Sequence, residues 1–391
     1  MEIKPYDKNA KKHPKKQIEQ VANSIKEFGM NQPIVVDKDG IIIVGHGRFE
    51  ALKHLGWKVK DEWIKVVDLT EEQAKAYRLA DNKLNESDWD MGLAIEELKS
   101  LDNEMFSLTG FDKDLIIEPD EKDDEVPETP EEPKSKLGDL YELGQHRVLC
   151  GDSTQQEAVL GLMDGKKADC VVTDPPYNTG MEGKPDDEKA WLSHMFNDKI
   201  ENWEVFLHDF FANYFINTKG DCAFYCFIDW RRVNDIRSEM EKLMDVKNVI
   251  VWDKKVHGLG SDYKSTYELC VVGKKGKPDI QNRYGLDYQD IWRLQREMGR
   301  NKNHATAKPI ELLSKPITHA SKADDIVMDL FLGSGSTLIA SEKTGRICYG
   351  MELDPKYIDV IVQRYVDYTG NENIKLNGKD IIWKKSQKTT K

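Results

Sequence analysis

The sequence predicts an α/β protein in which a doubly wound, mostly parallel sheet follows a smaller α+β domain. The chain has 391 residues, a length that suits two domains better than one. Strand and helix patterns alternate over its second part, which is typical of a parallel sheet with helices on both faces. An acidic, proline-rich linker, residues 118–137, separates the two parts. We therefore expect domains over residues 1–117 and 138–391.

The first part has the patterns of a small domain with helices and a few strands. Apolar residues recur at helical spacing from Ile18 to Phe28, and Gly29 ends that helix. Two short apolar runs, 33–36 and 41–44, predict strands joined by a turn. A short helix follows, and a later helix begins after Thr70 as its N-cap and ends near residue 84.

Charge is distributed unevenly along the chain. Between Glu118 and Lys136 there are nine acids, three lysines and four prolines, a large share of the formal net charge of -13. Like charges and prolines oppose a packed core, so we expect this linker to be extended and solvated. Residues 253–303 carry eleven Lys/Arg against seven Asp/Glu, and residues 381–391 form a basic tail. Because charge acts on a polyanion within a Debye length of about 8–10 Å, the acidic total does not exclude nucleic acid.

The sequence gives no sign of a membrane segment, a metal site or disulfides. The longest apolar run, Cys222–Ile228, is far shorter than the ~20 residues of a membrane span. The N-terminus lacks the apolar stretch of a signal peptide. Six cysteines stand among apolar residues, where we expect them to fill strands in a reducing compartment. We therefore expect a cytoplasmic protein with no metal and no membrane partner.

The second part alternates strongly apolar strands with amphipathic helices. The predicted strands are 168–173, 222–228, 246–252, 268–272, 325–330 and 346–351. The predicted helices are 203–215, 233–244, 309–320, 336–344 and 355–368. Ligands of doubly wound sheets bind beyond the carboxyl ends of the strands. The residues that follow these strands are therefore the candidate site.

The first of these strands is followed by Asp174-Pro175-Pro176-Tyr177. Two prolines stop the strand sharply and fix the backbone. Asp174 and the carbonyl of Pro175 can accept both hydrogens of an amino group, and Tyr177 can stack on the ring that carries it. The same four residues are also typical of an ordinary polar turn.

Two other strand ends have features of a nucleoside-binding site. Gly333 and Gly335 stand where a helix begins, so a ligand can approach the backbone there. The full dinucleotide fingerprint and the phosphate loop are both absent from the sequence around them. Glu352 ends the next strand, at the position where an acid binds a ribose diol. An exposed glutamate before a helix is the alternative interpretation.

Together these motifs resemble the β class of S-adenosylmethionine-dependent amino-methyltransferases of DNA. The resemblance covers about residues 138–375 and implies a Rossmann-like methyltransferase fold with S-adenosylmethionine as cofactor. Residues 174–177 resemble the catalytic motif, and 304–309 resemble the motif that wraps the cofactor, with Ala305 in place of its usual proline. The cofactor-binding residues that the resemblance implies are Asp152, His304, Thr306, Lys308, Asp329, Phe331, Gly333, Gly335, Ser336 and Glu352.

The resemblance implies methyl transfer to the exocyclic amino group of a flipped-out adenine in DNA. The implied catalytic residues are Asp174, Pro175, Pro176 and Tyr177. An aspartate at the first motif position favours adenine N6, while cytosine N4 stays open as the alternative target. Methylation of a protein amide or an RNA base, and a catalytically inactive DNA-binding adaptor, are further alternatives. The target-recognition region is expected at about 256–303, where the candidates for DNA contacts are Arg283, Arg293, Arg296 and Arg300.

The first part resembles the ParB/sulfiredoxin-like domain. Gly45-His46-Gly47-Arg48 together with Ala51 matches its Gly-x-x-Arg-x-x-Ala box. In that superfamily the box can bind a nucleotide phosphate at a helix N-terminus, which makes Gly45, Gly47 and Arg48 candidates. A structural glycine turn with a solvated Arg48 is the alternative. DNA is thus the expected partner, and a nucleotide and a homodimer are left open.

Overall fold

The computed structural model describes residues 2–7, 9, 11, 13–84, 91–111, 120, 122–178, 200–256, 263–278, 280, 289–294 and 307–386. The chain divides into two compact units: Met1–Ile116 with Tyr284–Leu286, and Ile117–Arg283 with Asp287–Lys391. Within the described ranges, no helix combines the length and apolar character that crossing a bilayer requires. The exact domain limits stay a prediction.

The first unit combines a small sheet with helices. Its elements are α1 (Lys15–Phe28), β1 (Ile34–Val36), β2 (Ile42–Val44), α2 (His46–His54), β3 (Ile64–Val66), α3 (Glu71–Leu84), α4 (Met91–Lys99) and α5 (Asn103–Thr109). Strand β1 pairs antiparallel with β2, as a turn between two short strands predicts, and parallel with β3. The sequence patterns did not predict β3.

Apolar faces and a capping box stabilise this unit. Ala22 and Ile25 of α1 are buried with Ile34 of β1 and Leu52 of α2 in one cluster. The amide of Gln73 donates to Thr70 Oγ1 (3.2 Å), and the amide of Thr70 donates to Gln73 Oε1 (3.0 Å). These reciprocal bonds satisfy two amides at the start of α3.

The second unit is built on one large sheet. Its elements are β4 (Leu140–Leu143), β5 (His146–Cys150), α6 (Gln156–Met163), β6 (Ala168–Thr173), α7 (Trp203–Asn217), β7 (Thr218–Ile228), α8 (Val233–Leu243), β8 (Asp245–Asp253), β9 (Tyr267–Lys275), β10 (Ile291–Arg293), α9 (Ile310–Ala320), β11 (Ile326–Asp329), α10 (Ser336–Lys343), β12 (Ile347–Glu352), α11 (Pro355–Thr369), β13 (Asn373–Leu376) and β14 (Lys379–Ile382). The predicted strands and helices are all present, while β4, β5, α6, β10, β13 and β14 were not predicted.

The sheet is parallel in its centre and mostly antiparallel on its flanks, where β10 alone among the described flanking strands pairs in parallel, with β8. Over the described residues its strand order is β10-β8-β9-β7-β6-β11-β12-β5-β4-β13-β14. Strands β7, β6, β11, β12 and β5 pair in parallel. Strand β9 runs antiparallel between β7 and β8, and β4, β13 and β14 form an antiparallel edge. The predicted doubly wound α/β class is therefore confirmed, with more antiparallel pairing than the strand–helix alternation indicated.

Both faces of the sheet are covered by helices. Val172 of β6 is buried in a cluster with Leu313 of α9 and Val362 of α11. Its neighbour Val171 belongs to the opposite cluster, with Phe210 of α7 and Met240 of α8. A strand buried on both faces has a continuous apolar sequence, which is why β6 was recognisable. All six cysteines are buried and free, and each belongs to one of these two clusters.

Residues 122–137 are anchored to the rest of the second unit near both ends, which contradicts a free tether, although most of their side chains are exposed as the composition predicts. The Asp123 side chain is buried and forms an ion pair with Lys343 of α10. The Arg364 guanidinium of α11 donates to the backbone carbonyl of Asp123 (2.9 Å). Composition predicts solvation because acids repel one another, but a buried acid is stable where it has a charged partner and donors.

The same segment is fixed a second time by Asp359 of α11. Its carboxylate accepts hydrogen bonds from the amides of Lys134 (2.6 Å) and Ser135 (3.1 Å), and from Ser135 Oγ (2.5 Å). Asp359 and Ser135 are both buried. One carboxylate therefore accepts from three donors, of which Ser135 Oγ also contacts the Tyr141 hydroxyl (2.9 Å). We refer to residues 122–137 as the acidic strap.

Replacing Asp359 should release the end of the strap. In Asp359→Ala, three donors, two of them buried, lose this acceptor, which we expect to lower the free energy of unfolding by about 1–3 kcal/mol. Hydrogen exchange measured by mass spectrometry should show faster exchange of the amides of residues 134–136. Asp367→Ala is the control, since Asp367 lies on the same helix and its bonds to Ser386 are exposed. Equal effects of the two substitutions would contradict the assigned role.

Candidate active site

Four neighbouring parallel strands end at the same edge of the sheet and bring the predicted motifs together. Strands β6, β11, β12 and β5 are adjacent in that order. Asp174 follows β6, the glycine turn of residues 330–335 follows β11, Glu352 ends β12, and Asp152 follows β5. Because parallel strands share one direction, their carboxyl ends form a single crevice.

Hydrogen bonds join these strand ends to one another. Thr173 Oγ1 donates to Asp329 Oδ1 (2.9 Å) and so connects β6 with β11. The amide of Gly333 donates to Glu352 Oε2 (2.9 Å), which connects the glycine turn with β12. The amide of Gly151 donates to the carbonyl of Glu352 (2.9 Å) and connects β5. Hydrogen bonds therefore hold the four strand ends of the crevice together.

Asp329 lies beneath the glycine turn and is almost completely buried. Its carboxylate accepts from the amide of Phe331 (3.0 Å) and from Thr337 Oγ1 (2.6 Å), besides Thr173. Burial raises the pKa of Asp329 to about 6, although these hydrogen bonds oppose the shift. The aspartate fixes both ends of the turn, from Phe331 to the first residues of α10.

The glycine turn is shaped by backbone that only glycine adopts easily. Gly333 and Gly335 have φ of +51° and +82°. A Cβ at Gly333 would meet no atom within 4 Å, so space beside the turn is open, whereas a Cβ at Gly335 would lie 3.1 Å from Ile361. The Arg364 guanidinium donates to the carbonyl of Ser334 (3.0 Å) and to Ser336 Oγ (3.1 Å). Arg364 thus joins the turn to the acidic strap, whose Asp123 carbonyl it also binds.

Glu352 is held by backbone amides on both carboxylate oxygens. Besides Gly333, the amide of Asp354 donates to Glu352 Oε1 (3.0 Å). Burial raises the pKa of Glu352 to about 7, and the amides of Asp354 and Gly333 partly offset this shift. The carboxylate is therefore fixed in orientation beside the open face of Gly333.

Asp174 is occupied by two donors. The Tyr177 hydroxyl lies 2.8 Å from Asp174 Oδ1, and the Lys308 ammonium forms an ion pair with Asp174 Oδ2. Burial raises the pKa of Asp174, and the neighbouring Lys308 charge opposes that shift. Burial disfavours the charge on Lys308, yet Asp174 and Glu268 raise its pKa overall. Lys308, predicted to bind the cofactor, thus contacts the predicted catalytic residues in this structure.

Glu268 on β9 and Lys254 after β8 complete this cluster, and the sequence analysis missed both. Glu268 Oε2 lies 3.1 Å from the Tyr177 hydroxyl and 3.4 Å from Lys308 Nζ, and Glu268 Oε1 lies 3.3 Å from Lys254 Nζ. The Tyr177 hydroxyl has one proton, so it donates to one carboxylate at a time. The sequence signal that could have identified Glu268 is its position as the only acid in the predicted strand 268–272.

The other predicted residues form no hydrogen bond or ion pair with this cluster in the described part of the structure. Asp152 Oδ1 accepts from the amide (2.9 Å) and hydroxyl (2.8 Å) of Thr154. Arg293 is exposed on β10. The predicted residues that lie outside the described ones are Arg283, Arg296, Arg300, His304 and Thr306.

The Gly-x-x-Arg-x-x-Ala box lies at the start of α2 in the first unit. Gly45 precedes the helix in the left-handed conformation, at φ +100°. The Arg48 guanidinium donates to Gln32 Oε1 (2.8 Å) and to the carbonyl of Pro33 (3.2 Å). Burial lowers the pKa of His46 to about 4, and Arg78 adds to the shift. Arg48 therefore binds its own unit in this structure.

Two families match different parts of the chain. Residues 168–363 match the N6/N4 DNA methylase family, and residues 2–83 match the ParB N-terminal domain. The type II methyltransferase M1.MboII of Moraxella bovis is 24% identical over 261 residues, which cover 55% of this chain and 93% of that protein. The putative methylase YubD of Escherichia coli is 26% identical over 212 residues, covering 54% and 86%. The solved M1.HpyAVI–SAM complex has 20% identity and a TM-score of 0.43, covering 56% and 97%.

The raised pKa of Glu352 makes the stability of the second unit depend on pH. Its folded pKa of about 7 exceeds the ordinary value of 4.5, so its stabilising contribution is present below pH ~4.5 and is lost as pH rises through about 7. Glu352→Gln removes this titration. From pH 5 to pH 8 the variant should gain on the order of 1 kcal/mol relative to the unsubstituted protein.

Urea unfolding at pH 5, 6, 7 and 8, followed by circular dichroism, measures this difference. Glu157→Gln is the control, because Glu157 is exposed on α6. A stability difference between Glu352→Gln and the unsubstituted protein that stays constant with pH would contradict the assignment.

Proposed function

We propose that this chain, which belongs to the N6/N4 DNA methylase family, transfers a methyl group from S-adenosylmethionine to the exocyclic amino group of an adenine in DNA. The observation that carries the proposal is the crevice at the ends of β6, β11, β12 and β5. A rigid Asp-Pro-Pro turn there faces the same edge as a glycine turn and a fixed glutamate. These are the groups that an amino-group acceptor and a nucleoside cofactor require.

The residues around the glycine turn fit S-adenosylmethionine, which supplies an electrophilic methyl group on a sulfonium sulfur. The open face of Gly333 admits a ligand to the backbone. Glu352 beside it would accept the ribose hydroxyls, and Asp152 would accept from the adenine amino group. Phe331, which packs on Phe210 with ring centroids 5.1 Å apart, would contact the methionine part. Asp329 holds the turn from below.

Asp174 and the carbonyl of Pro175 would activate the target amino group. The lone pair of an aromatic amine is delocalised into its ring, which makes the nitrogen a poor nucleophile. When both N–H hydrogens are accepted, the nitrogen can become tetrahedral and its lone pair localises. The Asp174 carboxylate then stabilises the positive charge that develops on this nitrogen. No covalent enzyme intermediate is needed.

The target base would leave the duplex before transfer. Its amino group is inaccessible to an active site while the base is stacked and paired. Tyr177 is the residue that would stack on the extruded base, because its hydroxyl is fixed beside Asp174. Arg293 and the other arginines of the predicted recognition region would contact phosphates or guanine edges.

Adenine is preferred over cytosine because an aspartate begins the motif, and cytosine N4 is the alternative target. We expect DNA from a host that expresses the protein to contain N6-methyladenine. Digestion to nucleosides followed by mass spectrometry identifies the modified base, and single-molecule sequencing gives its site. N4-methylcytosine alone would replace the adenine assignment, and no modified base would favour the inactive adaptor.

Nucleotide binding by the first unit stays a prediction, as does a homodimer. A phosphate at the start of α2 would compete with Gln32 and Pro33 for the Arg48 guanidinium. Calorimetry with nucleoside triphosphates on the unsubstituted protein and on Arg48→Ala would test this site.

Asp174 is the residue whose loss should stop the reaction. Asp174→Ala removes the carboxylate that localises the lone pair, so kcat should fall by about 10²–10³-fold or more, while calorimetry should find S-adenosylmethionine binding within a few-fold. Asp169→Ala is the matched control, because Asp169 lies at the opposite end of β6 and pairs with Lys219. Near-normal turnover by Asp174→Ala would refute the role of Asp174.

A further inference from the structure

We propose that the Lys308 ammonium competes with the target amino group for the Asp174 carboxylate, and that Glu268 withdraws Lys308 when the base enters. Lys308 and Glu268 are thereby positioning residues of the transfer reaction. The inference rests on the proposed function, since it concerns the same carboxylate.

The first step of the argument is competition for Asp174. One oxygen of Asp174 accepts from the Tyr177 hydroxyl and the other pairs with Lys308. An ammonium group and an amino group present the same kind of N–H donor, and the charged donor forms the stronger bond. The Lys308 side chain is 5% exposed and the Asp174 side chain 32% exposed, so water reaches the pair only from the Asp174 side. Each carboxylate oxygen can accept two hydrogen bonds, so an incoming amino group can bind Asp174 beside Lys308, but it then shares the carboxylate with a charged donor that forms the stronger bond.

The second step concerns charge in the transition state. Positive charge develops on the target nitrogen while Asp174 holds it. A lysine that remains on Asp174 neutralises the carboxylate and repels the developing charge at short range in a poorly solvated site. Transfer is therefore faster when the ammonium has left Asp174, which needs a second acceptor nearby.

Glu268 has the geometry of that second acceptor. Glu268 Oε2 is already 3.4 Å from Lys308 Nζ, and the carboxylate is only 16% exposed. The Lys308 ammonium also lies 4.9 Å from the centre of the Phe227 ring, a surface across which it can move. The backbone next to Lys308 is fixed, because the amide of Ile310 donates to Asp124 Oδ1 (3.0 Å). A rotation of the lysine side chain is thus sufficient.

Lys254 balances the charge of this arrangement. It pairs with the other oxygen of Glu268, at 3.3 Å. Two carboxylates, Asp174 and Glu268, face two ammonium groups from separate elements. When the Lys308 ammonium moves to Glu268, the positive charge that develops on the target nitrogen takes its place beside Asp174. The net charge of the site therefore stays near zero before and after Lys308 moves.

The test measures what the amino group contributes to binding. Duplexes that contain the recognition site found by sequencing carry either adenine or purine, which lacks the amino group, at the target position. The dissociation constants of the two duplexes are measured with S-adenosylhomocysteine present, so that no turnover occurs. The ratio of the constants reports the amino-group contact alone, and a merely structural change would move both constants equally.

We expect the ratio to rise about threefold or more in Lys308→Met, because the competing ammonium is gone. The ratio should fall toward one in Glu268→Gln, because Lys308 then loses its second charged acceptor and keeps only neutral ones, such as the Tyr177 hydroxyl at 3.1 Å, besides Asp174. In the double variant Glu268→Gln/Lys308→Met the ratio should match that of Lys308→Met. Glu239→Gln is the folding control, because Glu239 is a buried glutamate of α8 that also contacts two basic side chains, His208 and Lys242.

Turnover supplies the second readout. Glu268→Gln should lower kcat about tenfold or more with little change in the KM for S-adenosylmethionine. The dependence of kcat on pH should also change. Among the described residues, the titratable groups that interact with Asp174 are Tyr177, Glu268, Lys308, Cys226, Cys270 and the more distant Asp329, while Lys254 acts through Glu268. Lys308→Met removes a positive neighbour, so the acid limb of its profile should move to higher pH.

The proposal would be overturned if the unsubstituted protein, the two single variants of Lys308 and Glu268 and the double variant all gave the same ratio. It would also be overturned if Glu268→Gln changed the ratio by the same factor when Lys308 is absent. Both outcomes differ from a failure of the proposed function, which would appear as no methyl transfer by the unsubstituted protein.

Discussion

The parallel pairing of β6, β11, β12 and β5 determines where every polar group of the site lies. Each of these strands is buried, and each ends in a turn at the same edge. The polar residues that follow the strands then meet although they are far apart in the chain: Thr173 reaches Asp329, and Gly333 reaches Glu352. A shift of one strand by a single residue would separate donors from acceptors. The hydrophobic packing of the strands therefore determines how accurately the polar groups of the crevice are positioned.

Burial of charge is the second constraint, and the site resolves it in two ways. Around the glycine turn, the carboxylates of Asp329 and Glu352 accept hydrogen bonds from backbone amides and hydroxyls, and burial still raises their pKa values. Around Asp174, carboxylates and ammonium groups compensate one another directly. The first arrangement resists movement because its donors are backbone amides and the short hydroxyl side chains of buried threonines. The second can rearrange, since lysine side chains are long and their ammonium groups have several acceptors.

Local sequence patterns were sufficient for the elements that bury one continuous apolar run or face. Strand β6 and helices α7 and α11 are examples. The motifs at the strand ends were also recognisable, because each one directly follows a predicted strand in the chain. The acidic strap and Glu268 were not predictable in this way. Lys134 meets Asp359 across 225 positions of the chain, and Tyr177 meets Glu268 across 91. Such partners become neighbours only after the sheet has formed, so the local composition around residue 123 indicated solvation where the fold provides Lys343 and Arg364.

The strap also changes where the catalytic module begins. Asp123 is anchored to α10 and α11, Ser135 is anchored to α11, and Arg364 joins the Asp123 backbone to the glycine turn. A truncation made just before β4 would remove these anchors together with the segment. A fragment of the second unit that is to keep the Arg364 contacts should therefore begin upstream of residue 122.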